Sequence, residues 1–261
     1  MIKTHSPPAV LILAGLDPSG GAGLAADIQA VTAAGAHPMP VTTLITAQSL
    51  RRVARVEPLD PALVAEQVHV ALEDIAPSAV KLGALGNAAI AATIAELLAG
   101  PLADVPVVLD PVLVATSGDA LGEDGLAAVM RDALLPRAAL VTPNEDELNA
   151  LSDAGTPQER TARLVEHGAG HVLATGLAGV DADELQDVLV GPEGLIDRLT
   201  SRRLPGEFHG SGCSLASYCA AHLALGRTVH DAVVAAHADA AEALAGALDF
   251  GYDVRVPARR G

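Results

Sequence analysis

Six consecutive apolar residues, Ala9-Val10-Leu11-Ile12-Leu13-Ala14, lead directly into a segment that carries Gly15, Gly20, Gly21 and Gly23. An apolar run without polar alternation suits a strand buried on both faces, and the pattern recurs. Residues 40–46, 79–82, 106–110, 139–142, 171–174, 186–190 and 194–199 read as further strands. Most are separated by Ala/Leu-rich stretches of helical period, such as 61–74 and 88–99. Such a chain builds an α/β fold, a mostly parallel sheet covered by helices on both faces, with ligands held beyond the carboxyl ends of the strands. The last third differs. A hairpin is expected around Gly191-Pro192-Glu193-Gly194, followed by helices at about 212–225 and 229–247. With no internal repeat, low-complexity tract or long linker, residues 1–261 read as one doubly wound domain.

Charge limits what this sheet can bind. There are 16 Lys+Arg against 32 Asp+Glu, a net charge of −16. Nucleic acid and anionic membrane are therefore excluded as primary partners. An anionic ligand must be held by local backbone dipoles or a metal. No stretch approaches the roughly 18 to 20 apolar residues of a membrane span. The run 9–14 after Lys3 mimics a short signal segment, but Asp17 and the glycines break that pattern. Cys213 and Cys219 suit a reducing compartment, so a cytoplasmic protein is expected. With no Trp, two Phe and two Tyr, a ring-shaped ligand would be oriented by polar groups and aliphatic walls.

Four loops at the expected ligand edge carry chemistry. The first, residues 15–23, allows close backbone approach and opens a helix carrying Asp27; read alone, it is equally a tight connection. It matches neither a Walker A loop nor Gly-x-Gly-x-x-Gly. The second is Asp110-Pro111, an acid at a strand end or a turn initiator. The third, Asn144-Glu145-Asp146-Glu147, places Asn144 and Glu147 on one helix face. That pair suits hydrated Mg²⁺ against a phosphate, or an ordinary helix cap. The fourth, His209-Gly210-Ser211-Gly212-Cys213-Ser214, reads as an anion hole at a helix start or, equally, as a loop glycine pair followed by a small buried Cys. There the thiol of Cys213 is expected to have a lowered pKa, whereas Cys219 reads as core. Two glycine-rich cradles, several carboxylates and a thiol together suit phosphoryl transfer.

These segments resemble the hydroxymethylpyrimidine/phosphomethylpyrimidine kinases of thiamine biosynthesis, within the ribokinase-like superfamily. The resemblance rests on residues 14–23, the Thr-Ala-Gln ending at Gln48, Lys81-Leu82-Gly83-Ala84-Leu85, residues 108–112 with Ser117-Gly118-Asp119, residues 142–147 and Gly210–Cys213. It implies a ribokinase-like three-layer sandwich and an ATP- and Mg²⁺-dependent kinase. Its substrates would be 4-amino-5-hydroxymethyl-2-methylpyrimidine and then the monophosphate. By the same resemblance Cys213, Gly210, Ser211 and Gly212 are catalytic, Cys213 standing where related enzymes place an Asp. Gly15, Asp27, Gln48, Ala84 and Val112 contact substrate, with the Gln48 amide matching the aminopyrimidine edge. Asp110, Asn144, Thr175 and Gly176 serve nucleotide and phosphate, while Glu147 and Asp110 hold the metal. A homodimer is implied. The chain has Thr175-Gly176-Leu177 where relatives often carry Lys-Gly-Gly, Ala84 where many carry Met, and Thr116 where many carry Lys. Pyridoxal kinase, which shares the fold and loops, is the rival of the same class; a pyrimidine-binding protein without turnover is the rival of another.

Overall fold

The structure is a computed structural model describing residues 6–115, 118–119, 121–123, 125–152 and 155–260. Lys3, Thr116 and Ser117 lie outside the described residues. The strands of the main sheet are β1 (Ala9–Leu16), β2 (His37–Ser49), β3 (Arg52–Pro58), β4 (Ala79–Leu82), β5 (Val107–Leu109), β6 (Leu140–Val141), β7 (Val172–Ala178), β8 (Glu184–Gly191) and β9 (Gly194–Arg202). Among the described residues they pair in the order β3-β2-β1-β4-β5-β6-β7-β8-β9. The segment from β2 to β7 is parallel, and β3, β8 and β9 continue it antiparallel.

Alternation along each buried strand divides the core between two faces. Ala9, Leu11 and Leu13 pack on one side with α2 (Pro61–Asp74), α3 (Ala88–Ala99), α4 (Leu126–Val129), α5 (Glu145–Leu151) and α6 (Pro157–Glu166). Val10, Ile12 and Ala14 pack on the other with α1 (Gly23–Ala33), α7 (Ser211–Ala224) and α8 (Val229–Ala245). This is the expected three-layer arrangement, and both apolar layers are almost wholly aliphatic because aromatic residues are so few, Tyr218 being the aromatic residue within the second. Local chemistry fixes the helix starts. The Asp60 carboxylate accepts from the Ala62 N–H ahead of Pro61, and the Asn87 side chain accepts from Ile90 N–H.

The expected strands and the 191–194 hairpin are present, and α2 and α3 have the expected ends. The two late helices start and stop within about two residues of their sequence ranges. Two features go beyond the sequence reading. The edge strand β3 forms an arm with β2, and a second sheet joins β10 (Glu207–Phe208), β12 (Val254–Val256) and β11 (Leu248–Asp249) in that order.

Strand order sets the location of the site. From β1 the chain crosses by way of α1 to β2 on one side, then returns to β4 on the other side of β1. The carboxyl ends of β1 and β4 therefore flank a topological switch point, where the covering helices diverge and leave a crevice.

Candidate active site

At this crevice the two glycine-rich loops prove to be different objects. In the first, Asp17 ties the backbone into a knot. Its Oδ1 accepts from Ser19 N–H at 2.8 Å, and its Oδ2 from Ala22 N–H at 2.9 Å and the Ser19 hydroxyl at 2.8 Å. Gly20 N–H bonds the Asp17 carbonyl at 3.2 Å, and Gly21 N–H reaches Ser19 Oγ at 3.4 Å. The amides of residues 19–22 thus already have acceptors within the loop. The sequence expectation of a second anion cradle is corrected here, because a carboxylate fills the place an anion would take.

The loop before α7 is the opposite. Gly210 adopts φ +81° as the cap, and any Cβ there would collide with the Gly21 carbonyl oxygen. The first backbone bond of the turn runs from Ser214 N–H to Gly210 O at 3.0 Å. The preceding N–H groups of Ser211, Gly212 and Cys213 have no intrahelical acceptor and carry the positive end of the helix dipole. Gly212 is exposed, and its absent Cβ would face open space. Packing does not demand this glycine, and its bareness keeps the approach to the hole clear.

Behind the hole lies a buried ionic cluster. Lys81, a lone cation in the apolar strand β4, is fully buried, as is Asp27 on α1. Lys81 Nζ lies 3.0 and 3.1 Å from the Asp27 oxygens and 3.3 Å from Asp110 Oδ2, while Ser217 Oγ donates to Asp27 at 2.8 Å. Burial disfavours the ammonium, but the charges of Asp27 and Asp110 outweigh it, so Lys81 stays protonated. Burial dominates at Asp27 and raises its pKa against the opposing pull of Lys81 and Ser217. Asp27 was expected to line the substrate pocket. It is instead enclosed with its carboxylate fully engaged, and it acts as the counter-ion of Lys81.

Cys213 is partly exposed at the first turn of α7, close enough to Lys81, Asp110 and Asp27 to feel all three charges. The expected lowered pKa is corrected. Burial of the thiolate, reinforced by the two carboxylates, pushes the thiol up to about 12 despite Lys81 and the Gly23 N–H. Helix position alone is therefore outweighed. Cys219 is wholly buried in the core, as expected, and is raised likewise.

The remaining expected residues lie on the surrounding loops. Asn144 caps α5: its Oδ1 accepts from Glu147 N–H at 2.9 Å, and Glu147 Oε2 accepts from Asn144 N–H at 3.0 Å. The capping reading thus describes the pair's present bonding. Burial and the neighbouring Asp110 charge hold the Glu147 carboxyl up at about 8. Asp110 Oδ2 is buried without a hydrogen bond of good geometry, its nearest cation being Lys81. Thr175 and Gly176 were expected to offer a hydroxyl and backbone to nucleotide phosphate. Their donors are instead bound: Thr175 N–H and hydroxyl to the Pro143 carbonyl, and Gly176 N–H to Asp187 Oδ1 at 2.8 Å. The antiparallel neighbour β8 supplies Asp187 and so removes the free amide.

Gly15 ends the buried part of β1, and Ala84 follows β4 with its carbonyl accepting from Thr43 Oγ1 at 2.6 Å. Val112 N–H turns back to Asp110 O at 2.8 Å. Gln48 is half-buried on the β2 arm beside a register shift. The arm is tied to the 118–119 segment by the bond from Val53 N–H to Asp119 Oδ2 at 2.8 Å.

Sequence reasoning missed three groups. Lys81 was legible as the one lysine inside an apolar strand. His209 was read only as the first residue of the fourth loop, and its pairing with Asp17, Nε2 to Oδ2 at 2.8 Å, carried no local signal; nor did Arg259, buried against both glycine loops. The cluster combines open amides, a thiol, a buried ammonium and a carboxylate at one switch point, which suits stabilising charge on a phosphoryl group in transfer.

Comparison with known proteins agrees with this chemistry. Residues 17–257 match the family model described as phosphomethylpyrimidine kinase. The hydroxymethylpyrimidine/phosphomethylpyrimidine kinase of Streptomyces coelicolor is 39% identical over 95% of this chain and 91% of its own length. Among solved structures, the pyridoxal kinase of Staphylococcus aureus in complex with pyridoxal superposes with a TM-score of 0.86 at 28% identity, covering 97% of this chain and 93% of its own. The phosphomethylpyrimidine kinase of Clostridium difficile gives 0.78 at 30% identity, covering 91% and 99%. On this evidence the chain belongs to the phosphomethylpyrimidine kinase family and is a phosphotransferase.

Proposed function

We propose that this kinase transfers the γ-phosphoryl group of ATP to the hydroxymethyl oxygen of 4-amino-5-hydroxymethyl-2-methylpyrimidine, and then phosphorylates the monophosphate. The observation that carries the reading is the set of open amides Ser211, Gly212 and Cys213 beside the Lys81–Asp110 pair at the switch point. These amides hold the transferring group while the substrate oxygen bonds to phosphorus and the bond to the ADP oxygen breaks. Cys213 in its thiolate form takes the hydroxyl proton. Lys81 favours the thiolate and burial opposes it, so proton removal is favoured at alkaline pH. Gln48 reads the aminopyrimidine edge from the arm, with Ala84, Val112 and Gly15 supplying walls.

Mg²⁺ belongs to this reading. Two carboxylates, Asp110 with an orphaned buried oxygen and Glu147 held protonated in part by its neighbour, are chemically suited to share a cation. Bound there, it would neutralise charge on the nucleotide phosphates. Thr175 and Gly176 would serve that nucleotide by exchanging their present partners, and Asn144 through its side-chain NH2 beside its capping bonds. The reading extends to a homodimer in a cytoplasmic setting, as the family resemblance implies; the two cysteines, both unbridged, are compatible with a reducing compartment.

The likeness to solved pyridoxal kinases favours pyridoxal as the second reading. ADP release with the pyrimidine and with pyridoxal, measured side by side, separates the two. A higher kcat/KM for the pyrimidine is expected. Preference for pyridoxal would transfer the assignment, and binding of either without turnover would overturn the kinase reading of this chain.

A further inference from the structure

We infer that Arg259 is a positioning residue: a buried guanidinium that clamps the knotted glycine loop to the anion hole and fixes the direction of the hole's first amide. The inference rests on the phosphotransferase reading of the site, and Arg259 lies beyond residues 17–257, which match the family model. Arg259 is 7% exposed. Its Nη2 donates to the Gly21 carbonyl at 2.6 Å and to the Gly210 carbonyl at 3.3 Å, and its Nε donates to Ser214 Oγ at 2.6 Å. One planar fork therefore touches both loops, a task for which a single ammonium lacks the geometry. Ser214 Oγ passes the restraint on, donating to Gly210 O at 2.7 Å.

Peptide planarity converts this clamp into aim. The C=O and N–H of one peptide unit point in opposite directions. Holding Gly210 C=O toward Arg259 turns the Ser211 N–H away from it, out of the helix start. Holding Gly21 C=O likewise turns the Ala22 N–H toward Asp17, where it is found bonded. The Asp17–His209 pair makes a second tie between the same loops.

The surrounding chain delivers Arg259 to this place. Strand β12 pairs with β10, just before the hole, His209 N–H bonds Arg255 O at 2.9 Å, and Ala258 N–H bonds Ala243 O at 2.9 Å. Arg259 gains no carboxylate within ion-pair distance among the described residues, and its Nη1 is buried without a partner. A side chain selected for stability alone would not leave a charge and a donor in that state.

The full-length enzyme with Arg259→Ala or Arg259→Lys tests the clamp. Amide hydrogen exchange at Ala22 and Ser214 should quicken together by about tenfold in both variants, while core amides of α3 keep their rates. In Arg259→Ala, kcat with the pyrimidine should fall roughly 10- to 100-fold while KM changes little, the pattern of lost alignment. Millimolar ethylguanidinium should restore part of that kcat, and Arg259→Lys should not. Unchanged exchange at the two loops, quickening at one loop only, or uniform quickening throughout the protein would overturn the inference. If Arg259→Ala does not fold, exchange in Arg259→Lys decides by the same criteria. Exchange is read without substrate, so a wild-type protein inactive on both the pyrimidine and pyridoxal would sink the kinase reading and leave the clamp to be judged separately.

Discussion

The two glycine-rich loops at the crevice have similar composition and opposite roles. Residues 15–23 turn their amides inward to Asp17 and Ser19, whereas Gly210–Cys213 leave theirs open at the start of α7. Glycine content gives a backbone freedom to approach a ligand, but the nearest side-chain acceptor decides whether that freedom is still available. Asp17 takes it away from the first loop and makes it a rigid wall. The second loop has no such residue, since His209, its flanking side chain, faces Asp17 instead.

The largest test of this contrast is at the open loop. Cys213→Ala should fold and lower turnover roughly 10²- to 10⁴-fold, the range for losing general-base help, and Cys213→Asp should recover part of it. In the wild type, kcat should climb with pH above neutrality, because the thiol must lose a proton held up to about 12. Turnover of the Ala variant equal to wild type would leave the hole without its proton acceptor. Iodoacetamide should label Cys213 ahead of buried Cys219, and faster as pH rises.

At the closed loop the dominant effect should be on folding. Asp17→Ala strands the Ser19 and Ala22 amides and His209 Nε2, and should lower unfolding free energy by about 2–3 kcal/mol. Although burial raises the Asp17 pKa, hydrogen bonds from His209, Ser19 and Ala22 bring it below the ordinary carboxylate value. Its contribution is thus present above the unfolded pKa near 3.8 and is lost as pH falls through the lower folded value. Denaturant titrations from pH 7 to pH 2 should show the mutant and wild type converging in acid. Parallel curves would mean that the Asp17 pKa is the same in the folded and unfolded chain.

Glu147→Gln probes a third loop, whose side chains are occupied by capping yet are assigned to Mg²⁺. The variant should need about tenfold more Mg²⁺ for half-maximal rate, with its melting temperature little changed. An unaltered Mg²⁺ requirement would reduce the pair to a helix cap. The smallest effects come from single methyl groups. Gly212→Ala should lower kcat about tenfold, about 1.4 kcal/mol of barrier, without changing stability, because it fills open space at the hole. Gly20→Ala, at φ +75°, should lower stability by about 1 kcal/mol and leave kcat alone. Reversal of those two phenotypes would invert the roles assigned to the loops.

Legibility followed sequence distance. Strands such as Ala9–Ala14 and helices with Asp60-Pro61 or Asn87 at their starts declare themselves within a few residues. Strand β3 did not, because Arg52-Val53-Ala54-Arg55-Val56-Glu57-Pro58 is an exposed edge with no buried face to pattern it. The strands of the small sheet are two or three residues long, and β10 pairs with β12 across more than forty positions. The site motifs were readable as residue types. Their states were not, since the Cys213 pKa depends on Asp27, Lys81 and Asp110, and the loss of the Gly176 amide depends on Asp187.

The small sheet also has a consequence in time. The entry to the anion hole is paired to Val254 and Arg255, and its exit is bonded to Arg259, which also holds Gly21. Closure of the Arg259–Gly21 contact joins segments more than two hundred positions apart, the kind of step that loop-closure entropy delays. During refolding, helical and sheet signals should therefore return before catalysis does. Over that interval the chain would be largely folded and still unable to transfer phosphate.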